Sequence, residues 1–187
     1  MVRIIYKGSD EALQQAVASV NALFLDTDFY NTISRHRDFD LADISPLNLS
    51  LLIRSTRMDM KIEFYYSLYP FSKALSFDDE TNPQTIWLNK WNLNRTAGSL
   101  ANTLMHQCIH AINNRHRQHY FGHGDNEVAG KENTAPYWIA SLAQQQVDGE
   151  SRACEVMYHD DTADLQVFAN FVGAGMKTAV VRNYCLH

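Results

Sequence analysis

The sequence is poor in the patterns that mark several classes of protein. None of its apolar runs approaches the ~20 residues that cross a bilayer, so no membrane span is expected. Its three cysteines (Cys108, Cys154 and Cys185) are odd in number and widely spaced, which argues against a disulfide framework. The chain has no Cys-x-x-Cys pair, so a thiolate zinc knuckle is not expected. Basic residues are few, and the net charge of -5 argues against a nucleic-acid-binding surface.

The composition is that of one folded domain. Hydrophobic residues make up 45% of the 187 residues and aromatic residues 11%, which excludes low-complexity disorder. We expect a single domain over residues 1–187, with an N-terminal α/β lobe over about 1–115 and a mainly helical C-terminal lobe over about 116–187. Residues 2–7 read as a strand rather than a signal peptide, so the chain is expected to be cytoplasmic as synthesised. Export would need a route without a classical signal peptide, or a place within a larger secreted protein.

The order of apolar and polar residues predicts an α+β fold. Strands are predicted for 2–7, 61–68 and 85–89, which are rich in β-branched and aromatic residues, and more weakly for the leucine-rich residues 49–53. Helical periodicity predicts helices over 11–24, from Thr96 or Ser99 to about Asn114, and over 135–158, where Gly149 can divide the segment. Loops are expected over most of 25–58, over the acidic residues 76–83, and over the glycine-rich residues 117–133. A further helix and strand are expected after residue 165.

Two histidines lie four residues apart on the predicted helix that ends near residue 114. His106 and His110 therefore share one helix face, while Leu100 and Leu104 lie toward the core. Two imidazoles at this spacing can bind one Zn²⁺ through ring nitrogens at about 2.0–2.1 Å. The pattern matches the His-Glu-x-x-His motif of zinc peptidases, with Gln107 in the place of the glutamate.

A zinc site of this kind needs at least one further protein ligand. His123 follows the helix by a short loop, and its neighbours Gly122 and Gly124 let the chain turn back toward the helix. We therefore expect His106, His110 and His123 to hold the zinc ion.

Other third ligands remain open. His116 has the spacing of the metzincins, although Asn113 replaces their turn glycine, and Met157 would then supply their methionine turn. A carboxylate on the later helix, Glu150 or Glu155, is the alternative that gluzincins use. The sequence alone does not choose among these three arrangements.

Together these segments resemble the core of the SprT-like zincin metallopeptidases. The resemblance spans residues 85–125 and is carried by Thr85-Ile-Trp-Leu-Asn, by the helix from Leu100 to Ile112, and by Gly122-His123-Gly124. It implies a zincin-like fold in which a small mixed sheet packs on the active-site helix. It also implies that an extended peptide or protein substrate adds to the strand at 85–89. The DNA-associated role of the SprT-like proteins is not carried over, because this chain is acidic and has no basic arm.

A second likeness concerns bacterial toxins. The stretches His123-Gly-Asp-Asn and Asn133 to Trp138 are similar to zincin domains of secreted bacterial effectors and toxins. A toxin of this kind would have a cognate inhibitor or immunity protein as a partner.

The activity that the resemblance implies is hydrolysis of peptide bonds by a zinc-activated water. The glutamate of the motif is the general base, and general-base catalysis contributes about 10²–10⁴-fold in rate. Gln107 can hydrogen-bond a water but cannot take its proton, so the site is expected to keep zinc and lose most activity. The intact remainder of the motif favours a glutamate replaced to disarm a destructive enzyme. The alternative is a natural pseudoprotease that binds a peptide or protein partner in the same groove.

Several other residues have expected supporting roles. Tyr120 or Tyr137 could steady an oxyanion, and three polar residues could orient the ligating imidazoles, namely Asn113, Asp125 and Asn126. If the histidines are incidental, the chain is instead a metal-free α+β interaction domain.

Overall fold

The computed structural model describes residues 1–66, 76–78, 84–124 and 130–149. The elements follow one another as β1 (Val2–Ile5), α1 (Glu11–Leu23), α2 (Thr27–Ser34), α3 (Pro46–Ser55), β2 (Met58–Tyr65), β3 (Ser76–Asp78), β4 (Thr85–Asn89), a 3₁₀ turn (Lys90–Asn92), α4 (Ala97–Arg115) and α5 (Ala135–Asp148). The helix and strand predicted after residue 165 lie outside the described residues. None of the described helices combines the length and the apolar character that a membrane span needs.

The strands form one mixed sheet in the order β1-β2-β4-β3. β1, β2 and β4 are parallel, and β3 runs antiparallel to β4. Helices combined with a small mixed sheet agree with the predicted α+β class. β3 lies within residues 76–83, which we predicted as a loop. The prediction was wrong here because a strand of three residues forms through pairing with a neighbouring strand, which local composition does not reveal.

The position of β4 corrects one prediction. β4 pairs with β2 on one side and with β3 on the other, so that Leu88 lies opposite both Phe64 and Ser76. The prediction that residues 85–89 accept a peptide by strand addition is therefore wrong, because the main-chain groups on both sides of β4 already pair. Among the described strands, β3 occupies this edge of the sheet.

Residues 49–53, which we predicted as a strand, lie within α3. Ser45 caps this helix by accepting a hydrogen bond from the backbone N–H of Asn48, and Pro46 occupies its first turn. Leu49 and Ile53 are four residues apart and fully buried, as expected for one face of a helix. The helical spacing and the capping residues therefore outweigh the local strand propensity.

The helix α4 is the structural centre of the domain. Its predicted start is confirmed, since the Thr96 hydroxyl accepts a hydrogen bond from the backbone N–H of Ser99 at 3.2 Å. It packs against α1, α5 and the sheet, and its fully buried side chains include Leu100, Leu104, Met105, Ile109 and Ile112. Each such side chain contributes about 1.5–3 kcal/mol on burial, so α4 is a rigid support for the polar residues on its other face.

Candidate metal centre

Three imidazoles meet between α4 and the loop that follows it. His106 and His110 project from one face of α4, and His123 comes from the loop between α4 and α5. The Nε2 atoms of His106 and His110 are 3.0 Å apart, and those of His110 and His123 are 2.9 Å apart. One ligand nitrogen from each residue lies within 4.8 Å of the other two. The structure thus brings together the three histidines that we predicted as ligands.

This geometry fits a metal ion better than a set of hydrogen bonds. Tetrahedral ligands at about 2.0–2.1 Å lie about 3.3–3.4 Å apart, close to the observed separations. The His110 Nε2 atom approaches two imidazole nitrogens at once, but a neutral imidazole nitrogen either donates or accepts one hydrogen bond. At most one of the two contacts can therefore be a good hydrogen bond. A single metal ion accepts the lone pairs of all three imidazoles, so the cluster can bind one.

The surroundings of the three histidines differ in exposure, and those of His110 favour its neutral, metal-binding form. His106 and His123 are buried, with 1% and 6% of their surfaces exposed, whereas His110 is partly exposed. Although part of the residue is exposed, protein atoms surround the His110 imidazole, and this burial lowers its pKa to about 4. Its lone pair is therefore available at neutral pH, and little energy is spent on removing a proton before a metal binds.

The same shift predicts that the metal-free protein loses stability in acid. The unfolded chain takes up a proton at His110 near its ordinary pKa of 6.5, whereas the folded chain does so only near pH 4. The free energy of unfolding should therefore fall by up to about 3 kcal/mol as the pH drops from 6.5 to 4. Urea unfolding of the metal-free protein at several pH values measures the slope, and His110→Gln is the control that should reduce it, with a residual slope from His116, whose pKa burial also lowers. Equal slopes in the two proteins would contradict the assignment to His110.

Two other residues of α4 lie between the two histidines in the sequence. Gln107 is buried, with 2% of its surface exposed, and directly follows the first ligand in the chain. Cys108 is fully buried, and burial raises the pKa of its thiol. Cys108 is not among the residues whose ligand atoms converge in the described structure, so it serves as a packing residue in the core.

The two tyrosines that we predicted near an oxyanion lie in different places. The Tyr137 ring, on the first turn of α5, has its centre 4.6 Å from that of His106 and 5.0 Å from that of His123. Tyr137 is therefore part of the site. The Tyr120 hydroxyl instead accepts a hydrogen bond from the backbone N–H of Gly124 at 2.9 Å, so it braces the ligand loop.

The alternative third ligand His116 is not in the cluster. Its Nε2 atom lies 2.8 Å from the Thr56 hydroxyl. The helix α4 continues to Arg115, so Asn113 is helical and does not form the turn that the metzincin spacing requires. The Asn113 side chain accepts a hydrogen bond from the backbone N–H of Phe121 at 2.8 Å, so it holds the loop rather than an imidazole.

Five other predicted site residues lie outside the described residues: Asp125, Asn126, Glu150, Glu155 and Met157.

The sequence analysis missed one segment near the site. Asp43, in the connection between α2 and α3, accepts a hydrogen bond from the backbone N–H of Tyr120 at 2.9 Å. It lies 77 residues before its partner, so no local pattern could indicate the contact. In the sequence, Asp43 is only an aspartate in a predicted loop, and such a residue more often stabilises a turn than contacts a distant segment.

Comparison with protein-family models, with curated proteins and with solved structures finds no match to the chain. The chemistry of the cluster is therefore inferred from its own geometry. That geometry shows three histidines that can hold one metal ion, with the Tyr137 ring in contact with two of them and a buried glutamine next to His106 in the sequence.

Proposed function

We propose that this chain is a zincin-like zinc metallopeptidase domain in which Gln107 occupies the position of the general base. The observation that carries the proposal is the convergence of the His106, His110 and His123 Nε2 atoms, with Gln107 directly after the first ligand. The arrangement of α4 against a mixed sheet with an antiparallel edge strand supports the zincin-like class.

Zinc is the metal that this donor set suits best. Three imidazole nitrogens leave one position of a tetrahedron open for water or substrate, as in catalytic zinc sites. Imidazole also binds copper, iron and nickel, but no described carboxylate joins the cluster to give the two-histidine, one-carboxylate set of non-haem iron enzymes. When bound, zinc supplies a Lewis acid and lowers the pKa of a coordinated water.

The residues around the ligands have separate roles in this proposal. The buried Gln107 amide donates and accepts hydrogen bonds and so orients a water or a substrate carbonyl, but it cannot accept a proton. Tyr137 contacts two ligand imidazoles and is the residue that we assign to steady a developing oxyanion. The protein should therefore bind peptides while hydrolysing them slowly.

The substrate class is an extended segment of peptide or protein. β3 lies at the sheet edge and contacts α4, so a peptide strand added to β3 would run past the helix that carries two of the ligands. If the chain acts as a bacterial toxin or effector, its second partner is an immunity protein that covers the metal site.

A peptide screen on Gln107→Glu tests the proposal. The variant, loaded with zinc, is incubated with a peptide library made from a whole proteome, and new termini are read by mass spectrometry. We expect cleavage that stops when zinc is removed by a chelator and that is absent from His123→Gln in the same background. A variant that binds one equivalent of zinc and cuts nothing would rule out the peptidase.

The second candidate function is a pseudoprotease, which Gln107 itself favours. In that case the protein binds zinc, Gln107→Glu produces no cleavage, and a partner peptide is retained by the zinc-loaded protein. Metal content below one-tenth of an equivalent would instead favour a metal-free interaction domain.

A further inference from the structure

We infer that Asp43 and Tyr120 are positioning residues that hold His123 in place for the metal. The inference rests on the proposed metal site and not on peptidase activity. Asp43 and Tyr120 form two hydrogen bonds with each other. The backbone N–H of Asp43 donates to the Tyr120 carbonyl at 2.9 Å, and the Asp43 carboxylate accepts from the Tyr120 N–H at 2.9 Å. The loop is thereby tied at a point three residues before the ligand.

The Tyr120 side chain contacts the two residues that flank His123. Its hydroxyl accepts a hydrogen bond from the backbone N–H of Gly124 at 2.9 Å. On the other side of the ligand, a Cβ added to Gly122 would lie 3.1 Å from the same hydroxyl oxygen, so the phenol also packs against Gly122. The ring therefore contacts both neighbours of His123, and the turn between them cannot open without losing these contacts.

The segment that contains Asp43 is itself hydrogen-bonded to the residues just before α5. Asp43 belongs to a strap, residues 38–43, whose Asp40 donates its backbone N–H to the Asn133 carbonyl at 3.1 Å. The Asn133 side-chain amide donates back to the Asp40 carboxylate at 2.9 Å. The strap thus joins the ligand loop to the residues just before α5, the helix that carries Tyr137.

One residue of the strap has an unfavourable backbone conformation. Leu41 has a φ of 60°, in the left-handed region that costs energy for a branched side chain. Its side chain is 59% exposed, and burial therefore does not explain the conformation. Hydrogen bonds on both sides of Leu41 hold it there, as expected where the surrounding structure requires a particular path of the chain.

Holding a loop histidine in its binding position raises the metal affinity, because the loop then does not have to rearrange before the metal binds. The apparent affinity is the intrinsic affinity multiplied by the fraction of molecules whose third histidine is already in position, so it falls when that fraction falls. The two histidines on α4 are positioned by a rigid helix, whereas the backbone of His123 belongs to a loop whose path depends on such contacts. Asp43 and Tyr120 should therefore affect metal affinity without touching the metal.

Zinc titrations of the full chain test the inference. We expect Asp43→Ala and Tyr120→Phe each to weaken zinc binding by about tenfold, as loss of a partner that orients a ligand does in other sites. Asp43→Asn keeps the acceptor oxygen and should stay close to the wild type. The matched controls are Asp59→Ala, since the Asp43 and Asp59 side chains are equally exposed at 55%, and Tyr66→Phe on another exposed tyrosine.

A further variant separates two contacts of the Asp43 carboxylate, which also lies 3.4 Å from His119 Nδ1. His119→Gln should leave zinc affinity unchanged, because Asp43 acts through the Tyr120 peptide. Wild-type affinity in both Asp43→Ala and Tyr120→Phe would overturn the inference, as would an equal loss in the controls. Absence of zinc binding by the wild type would overturn the proposed function as well. Zinc binding without peptide cleavage by Gln107→Glu would overturn the peptidase alone.

Discussion

Gln107→Glu is expected to raise kcat/KM for peptide hydrolysis by about 10²–10⁴-fold over the chain as it stands. Gln107 is buried and directly follows His106 in α4, and glutamate has nearly the same size, so the substitution should change the chemistry and not the packing. The amide cannot take a proton from a water, whereas a carboxylate can. The measurement is the initial rate on a single peptide chosen from the screen, with both proteins loaded with one equivalent of zinc.

The pH profile identifies the new carboxylate as the base. Because the side chain at this position is buried, desolvation raises the pKa of a carboxyl group there, while a bound zinc ion lowers it. As the pH is raised from acid values, kcat/KM of Gln107→Glu should therefore increase with the ionisation of one group, the new carboxyl. The wild type should not show this increase. Gln14→Glu on α1 controls for the added charge, because it places the same change far along the chain on an exposed helix face. An equal gain in Gln14→Glu, or a gain that survives removal of zinc, would contradict the role of Gln107.

Replacing a ligand histidine is expected to weaken zinc binding by roughly 10²–10³-fold. Structural zinc sites bind with about 10–16 kcal/mol in total, so one of four ligands accounts for roughly 2.5–4 kcal/mol. His106→Gln, His110→Gln and His123→Gln should all show this loss, which competition with a chromophoric chelator measures. Cobalt substitution gives a second measurement, because the visible absorption of four-coordinate cobalt should disappear in the same variants.

Two histidines outside the cluster provide matched controls. His116 contacts the Thr56 hydroxyl, and His119 lies near the Asp43 carboxylate. Neither His116→Gln nor His119→Gln should weaken zinc binding by more than a few fold. A large loss in His116→Gln with no loss in His123→Gln would mean that the metal takes the metzincin set of ligands instead.

Much of the fold could be predicted because the decisive signals are local. The Thr96 cap and the apolar spacing over the following turns predicted α4, and the structure places that helix at Ala97–Arg115. The signals for α3 were also present, since Ser45 and Pro46 begin a helix whose buried residues are four apart. We predicted a strand there because leucine and isoleucine are dense in that stretch, and periodicity should have been preferred to propensity.

The edges of the sheet could not be predicted from the same signals. The residues of β4 have the composition of a strand, but whether a strand is internal or at an edge depends on which other segment pairs with it. The antiparallel partner β3 comes from an acidic stretch with weak strand propensity. A peptide-binding edge was therefore assigned to β4, although β4 has a partner on each side.

The sequence by itself determined that His106 and His110 share a helix face, because the helical repeat places residues four apart on one side whatever the rest of the chain does. It also provided glycines on both sides of His123, which permit a turn without requiring one. Only the tertiary structure decided that His123, and not His116, completes the cluster. The physical reason is that the third histidine lies on a loop, and a loop takes its path from hydrogen bonds to distant segments. The contact between Asp43 and Tyr120 spans 77 residues, and packing of the folded chain, rather than any local pattern, brings its two ends together.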